Sequence, residues 1–181
     1  MSVPESDALS LGEWAVLGLL AARPAHGFAL ARDLAPEGVV GRVWTVRRPL
    51  VYRALGSLQA AGLIAIDRAE EGERGPRRAV YRATREGERV LGGWLARPVE
   101  HLRDIRSELM LKLALLASDH RREDLLLQSQ LSLLGPITKG LAEKADLAAG
   151  FERTLAIWRL ESARTVIRFI ETLRAGPSQA G

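Results

Sequence analysis

The segment Val43–Ile64, VWTVRRPLVYRALGSLQAAGLI, sets an arginine pair and a proline ahead of a short apolar periodicity. Pro49 suits the first turn of a helix, where its missing N–H has no partner to lose. Gly62 is the stop expected after Ala61. Within the helix Pro49 to Ala61, Val51, Ala54, Leu55 and Leu58 follow helical spacing and define an inward face. The opposite side offers Leu50, Arg53 and Ser57, with Arg47 and Arg48 just ahead of it. An apolar face plus polar side chains near the N-terminus is what a helix needs to lie in a DNA major groove. Taken alone, the same pattern fits a plain solvated surface helix better. The start is irregular, because arginine is a poor N-cap. Thr45 would cap only a helix that begins earlier, and Pro49 disfavours helical backbone at Arg48.

The neighbouring segments shift that balance. LSLGEWAVLGLLAARPAHG predicts a helix from about Leu11 to Ala22, with Ser10 and Glu13 spaced as a capping box. FALARDLAP predicts a second short helix ended by Pro36 and Gly38, and GVVGRVWTV a loop or short extended segment. After Gly62, LIAIDR and RAVYRAT are β-type runs flanking AEEGERGPR, which suits a hairpin tip. Arg74, Arg77 and Arg78 sit at that tip and on the returning strand, placed to grip phosphates or enter a minor groove. Glu70, Glu71 and Glu73 on the outgoing side favour an ordinary solubilising turn. Helix, helix, arginine-led helix and arginine-bearing hairpin nevertheless follow the order of a winged helix-turn-helix. Thr84 then caps another helix, TREGERVLGGWLA, closed by Pro98.

Charge is placed unevenly. From Arg42 to Arg89 there are eleven arginines against six acids, whereas from Val99 onward twelve bases face eleven acids. A polyanion would therefore meet the first half. With 181 residues, 47% of them hydrophobic, the chain has enough apolar material for a buried core. The absence of cysteine excludes disulfides, thiol nucleophiles and thiolate metal sites. His26, His101 and His120 are too scattered for a metal site, so no metal or cofactor is expected. No run of 18 apolar residues occurs, and MSVPESDALS lacks the features of a signal peptide, which makes a cytoplasmic protein without membrane contact the expectation.

The second half is helical throughout: LRDIRSELMLKLALLAS, HRREDLLLQSQLSLLGPITKGLAEKADLAA and FERTLAIWRLESARTVIRFIETLR. Gly135-Pro136 should kink or break the middle helix, and Gly150 should separate it from the last. Phe151, Leu155, Trp158, Val166, Phe169 and Leu173 form a stripe on the last helix that needs a partner surface. The expected fold class is α+β, mostly α. Its domains are a winged helix-turn-helix over residues 8–97, a helical dimerisation and effector region over 98–175, and a mobile tail over 176–181. A chain ending at Pro98 is then expected to remain folded as a monomer.

The residues also carry a family resemblance. EWAVLGLL, PAHGFAL, WTV, LVYRALGSLQAAGLI, GPRRAVYRATREGERVL and WL, in that order, resemble PadR-type transcriptional regulators. RDIRSELMLKLALL and LESARTVIRFIETL are similar to that family's helical dimerisation region. The resemblance implies a homodimeric regulator of double-stranded DNA, commonly a repressor, that in some members responds to small aromatic molecules. It further implies that Tyr52 contacts the DNA backbone, that Gly75, Arg77 and Tyr81 mark the wing, and that His26-Gly27 forms the turn between the first two helices; the histidine itself reads as structural, a side chain closing that turn rather than a ligand. Arg48 and Arg53 are the expected base readers, and a dimer predicts an inverted-repeat operator. Trp94 and Trp158 are the candidates for holding an effector, although each tryptophan also suits a core or interface. Two rivals stand beside this reading: a dimeric winged-helix protein working through a protein partner or ligand, and an enzyme. The enzyme lacks a phosphate-cradling glycine loop, a cysteine, and a histidine beside a nucleophile.

Overall fold

In the computed structural model residues 9–72, 75–119 and 123–175 are described, with the side chains of residues 70–78 excepted. The first helix, α1, spans Leu11–Ala22. Its capping box closes as expected: the Ser10 N–H and hydroxyl each donate to the Glu13 carboxylate at 2.8 Å, and the Glu13 N–H donates to Ser10 Oγ at 3.3 Å. Trp14 through Leu20 are all buried, so α1 is wrapped on every side and forms the axis of the first unit.

A two-residue strand, β1 (Ala25–His26), leads into α2 (Gly27–Asp33). The helix is shorter than expected and ends ahead of Pro36, giving way to successive turns. Gly38 and Gly41 are required in that loop, since a Cβ on either would run into the backbone of Asp33 or Ala35. Val40 and Val46 are buried, and the Val46 N–H donates to the Leu34 carbonyl at 3.0 Å. Helix α3 spans Arg48–Ala60, one residue earlier than the proline suggested, with Arg47 as an N-cap that forms no side-chain cap. Thr45 plays no capping part, because its hydroxyl donates to the Gly41 carbonyl at 2.8 Å. At the other end Gly62 takes φ +72°, its N–H donates to Gln59 O at 3.0 Å, and the Leu63 N–H donates to Leu58 O at 2.9 Å. These two bonds complete a Schellman motif, and the positive φ is the reason for glycine there.

Strands β2 (Ile64–Gly72) and β3 (Gly75–Ala83) extend well into the segment expected as a loop. They pair antiparallel, with β1 on the far side of β3, giving the order β1-β3-β2. Helix α4 (Arg85–Ala96) starts at Thr84, whose hydroxyl accepts the Gly87 N–H at 3.0 Å and donates to the Gly62 carbonyl at 2.8 Å.

The first unit breaks off at Ala96, but the chain returns to it further on. Helix α5 (Met110–Ser118) belongs to the first unit, whereas residues 97–109 join the second. Leu115 explains part of this, since a Cβ on Gly18 of α1 would lie 2.6 Å from its Cδ1. Lys112, fully buried, places Nζ 4.8 Å from the centre of the Trp94 ring, itself stacked on Trp14 at 4.6 Å.

In the second unit a 3₁₀ turn, Leu102–Asp104, runs into a π turn, Ile105–Leu109. Helices α6 (Asp124–Leu147) and α7 (Gly150–Ala175) form an antiparallel pair joined at Ala148 and at Gly150, whose φ is +57°. Pro136 does not break α6, which is continuous through it. Both Pro136 and Ser132 are exposed, so water can take the Ser132 carbonyl that the proline leaves without a helical donor. The face of α7 turned inward carries Ala156, Leu160, Ala163 and Ile170. The stripe expected to seek a partner is thus largely open, with Phe151 76% and Trp158 71% exposed.

Candidate nucleic-acid interface

The inward set of α3, Val51, Ala54, Leu55 and Leu58, is buried as the spacing predicts. Its other face is open to solvent: Arg47, Arg48, Leu50, Tyr52, Arg53 and Ser57 are all exposed. Among the described residues, Arg47, Arg48 and Arg53 form no ion pair. Arg82, by contrast, is held by Asp67 at 3.3 Å, and Arg68 by the same carboxylate at 2.8 Å. Three exposed arginines with no ion pair among the described residues therefore stand at the start and on the outer face of α3.

Two concavities flank the helix. One, of about 490 Å³, lies between the N-terminus of α1 and α3 and is lined by Ser10, Glu13, Trp44, Leu50 and Arg53. Glu13 fixes its floor. Burial pushes the Glu13 carboxyl up, but hydrogen bonds from the Ser57 hydroxyl and from the N–H and hydroxyl of Ser10 outweigh it and hold the group below the ordinary carboxylate range. Ser57, expected among the DNA-contacting residues, thus shares its hydroxyl with this carboxylate.

The other concavity, of about 220 Å³, is bounded by His26, Phe28, Arg48, Tyr52 and Tyr81. His26 caps α2, its Nδ1 accepting the Ala29 N–H at 3.1 Å, which is the structural role expected of it. Its backbone pairs with Val80, and Ala25 pairs with Tyr81, so β1 ties the start of α2 to the hairpin. A Cβ on Gly27 would lie 2.7 Å from Tyr52 Cε1, so only glycine lets that ring lie against α2. The Arg48 guanidinium carbon stands 5.7 Å from the Phe28 ring centre and 5.9 Å from that of Tyr52. Sequence reasoning passed over Phe28; its one signal was an aromatic residue directly after the His26-Gly27 turn.

The hairpin residues are placed only in part. Arg74 lies outside the described residues. Arg77 and Arg78 lie on β3, with Arg78 opposite Glu70 in the ladder, but their side chains are outside the description. Of the effector candidates, Trp94 is 5% exposed, stacked on Trp14 with Lys112 over its ring, and offers no open face to a ligand. Trp158 is open and, within the second unit, lines a cleft of about 500 Å³ with His101, Arg103, Leu141, Leu155 and Arg159. Among the described residues no group of three or more His, Asp or Glu side chains could hold a metal ion, and no helix is long and apolar enough to cross a membrane.

A helix on the outer surface, supported by two inner helices and followed by an antiparallel hairpin joined to a short third strand, defines a winged helix-turn-helix protein. Residues 16–93 match the model of the Transcriptional regulator PadR-like family. Over its length the chain is similar to Bacillus subtilis PadR in complex with operator DNA, with 22% identity, a TM-score of 0.46, and coverage of 90% of this chain and 96% of that one. It is similar also to a Streptococcus mutans UA159 protein, at 16% identity and TM-score 0.43 over 91% of this chain and 98% of that one. Bacillus subtilis PadR without DNA gives 21% identity and TM-score 0.41 over 90% and 92%. No curated protein matches the chain.

Proposed function

We propose that the protein is a cytoplasmic, sequence-specific DNA-binding transcription regulator that works as a homodimer and represses its target. The observation that carries this reading is the outer face of α3, where Arg47, Arg48 and Arg53 are exposed with no acidic partner among the described residues, in a segment that matches a transcriptional-regulator family model. Arg53 and Arg48 are the side chains we assign to base edges, and Arg47, Tyr52 and the hairpin arginines Arg74, Arg77 and Arg78 to the backbone. Two such helices about one DNA turn apart, roughly 34 Å, would read an inverted repeat.

Dimerisation is supported by the open stripe on α7, since Phe151 and Trp158 leave large apolar areas that a second copy would cover. The cleft beside Trp158 is where a small aromatic effector would sit, with the ring as a flat wall and Arg103 and Arg159 at its edge. The decisive experiment is a gel shift with the DNA upstream of the chain's own gene, against random duplex as competitor at moderate salt. Preference for the upstream fragment supports the reading; equal competition by random duplex refutes it.

A further inference from the structure

Phe28 and Tyr52 are large rings left 52% and 47% exposed at the foot of α3. They come from different helices, α2 and α3, yet both lie within about 6 Å of the Arg48 guanidinium, the range in which a cation is attracted to a ring face. Such attraction consumes no N–H donor, so the guanidinium keeps its hydrogen bonds for another molecule. The Tyr52 ring is limited on its inner side by Gly27, where an added Cβ would lie 2.7 Å from Cε1. Arg48 occupies the first position of this helix, and among the described residues its guanidinium forms no ion pair.

Resting on the DNA-binding reading above, we propose that Phe28 is a positioning residue for DNA recognition: with Tyr52 it holds the Arg48 guanidinium in the orientation that meets the duplex. A flexible arginine loses rotamer freedom on contact, whereas one already laid on rings loses less, so the rings strengthen binding without touching DNA. The acceptor assigned above is a guanine edge, and a backbone phosphate oxygen is the other group of the same chemistry that the test separates from it.

A double-substitution cycle tests this with the full-length protein, the upstream fragment, and a random duplex of equal length. Phe28→Leu should weaken binding by about 3- to 5-fold with an unchanged melting temperature, and Phe28→Tyr should restore it. In the Arg48→Ala background, Phe28→Leu should cost less than about 1.5-fold, because the ring then has nothing to hold. Arg48→Ala identifies the acceptor: a salt slope smaller by about one means a phosphate, and loss of preference for the upstream fragment means a base edge. An equal Phe28→Leu loss with and without Arg48, or no loss at all, overturns the positioning role while the DNA-binding reading stands. A wild-type protein that prefers neither fragment overturns both.

Discussion

Replacing Gln130 should disable the second unit more severely than its place in a helix suggests. The side chain is fully buried, and its amide pairs with a single residue across the unit: Oε1 accepts the Val99 N–H at 2.7 Å, and Nε2 donates to the Val99 carbonyl at 2.9 Å. Gln130 thus satisfies both backbone groups of a residue that lies outside any helix or strand. Gln130→Ala leaves a buried N–H and a buried C=O unsatisfied, at about 1–3 kcal/mol each, and adds a small cavity. A cost of about 3–5 kcal/mol is expected, a large share of the 5–15 kcal/mol typical of a whole domain. Urea unfolding followed by circular dichroism measures it. Gln130→Glu sharpens the test, because a carboxylate accepts from the Val99 N–H but opposes the Val99 carbonyl, whereas the protonated acid donates to that carbonyl. The new group's folded pKa is therefore raised above its unfolded value of about 4.3. Its favourable contribution is present below that value and is lost as pH rises through the raised folded pKa, so this variant should gain stability on acidification relative to Gln130→Leu. A cost below about 1 kcal/mol for Gln130→Ala, or matching pH profiles for the Glu and Leu variants, would refute the pairing.

Other expectations follow from the first unit and from α3. Glu13 has a lowered folded pKa, so its contribution is present above the unfolded value of about 4.5 and is lost as pH falls through the folded one. Glu13→Gln should flatten the acid limb of a melting-temperature profile while costing under about 1 kcal/mol at neutral pH, since glutamine also serves in a capping box; an unchanged acid limb counts against the Ser10–Glu13–Ser57 arrangement. Arg53→Ala should weaken binding by about 1–3 kcal/mol and relax base preference in a gel shift, and an equal loss on every sequence would make it a phosphate contact instead. A chain ending at Pro98 loses buried Leu111, Lys112, Leu115 and Leu116. At roughly 1.5–3 kcal/mol per buried leucine it should be partly unfolded, whereas a chain ending at Asp119 should melt cooperatively; equal melting of the two would deny α5 its place on α1.

How much of this the sequence discloses depends on how far each device reaches along the chain. Ser10 and Glu13, Gly62 with Leu58 and Gln59, and Thr84 with Gly87 act within a few residues. Their residue types sit at set offsets, so α1, the end of α3 and the start of α4 are legible directly. The start of α3 is less so, because Pro49 and Arg48 pull against each other and the tertiary support beneath α3 decides where the helix begins. Periodicity finds α7 but not its inward face. Large apolar residues mark one stripe, yet the inward face uses the small Ala156 and Ala163 with Leu160 and Ile170, and Phe151, Trp158 and Leu173 of the stripe remain exposed.

Gln130 and Phe28 share the reason for their invisibility. A glutamine in a helix reads as a solvated position, and a phenylalanine after a turn reads as core; here each is the reverse, the polar side chain being buried and the ring exposed. In both cases the partner is brought by the fold from a distant segment or another helix: the Val99 backbone for one, the Arg48 guanidinium for the other. Residue type announces what a side chain does for itself, through transfer to water or through local hydrogen bonds. It says nothing of what a side chain does for a neighbour. The exposed arginines of α3 are therefore readable from the sequence, and the ring beside one of them is readable only once α2 and α3 have been placed side by side.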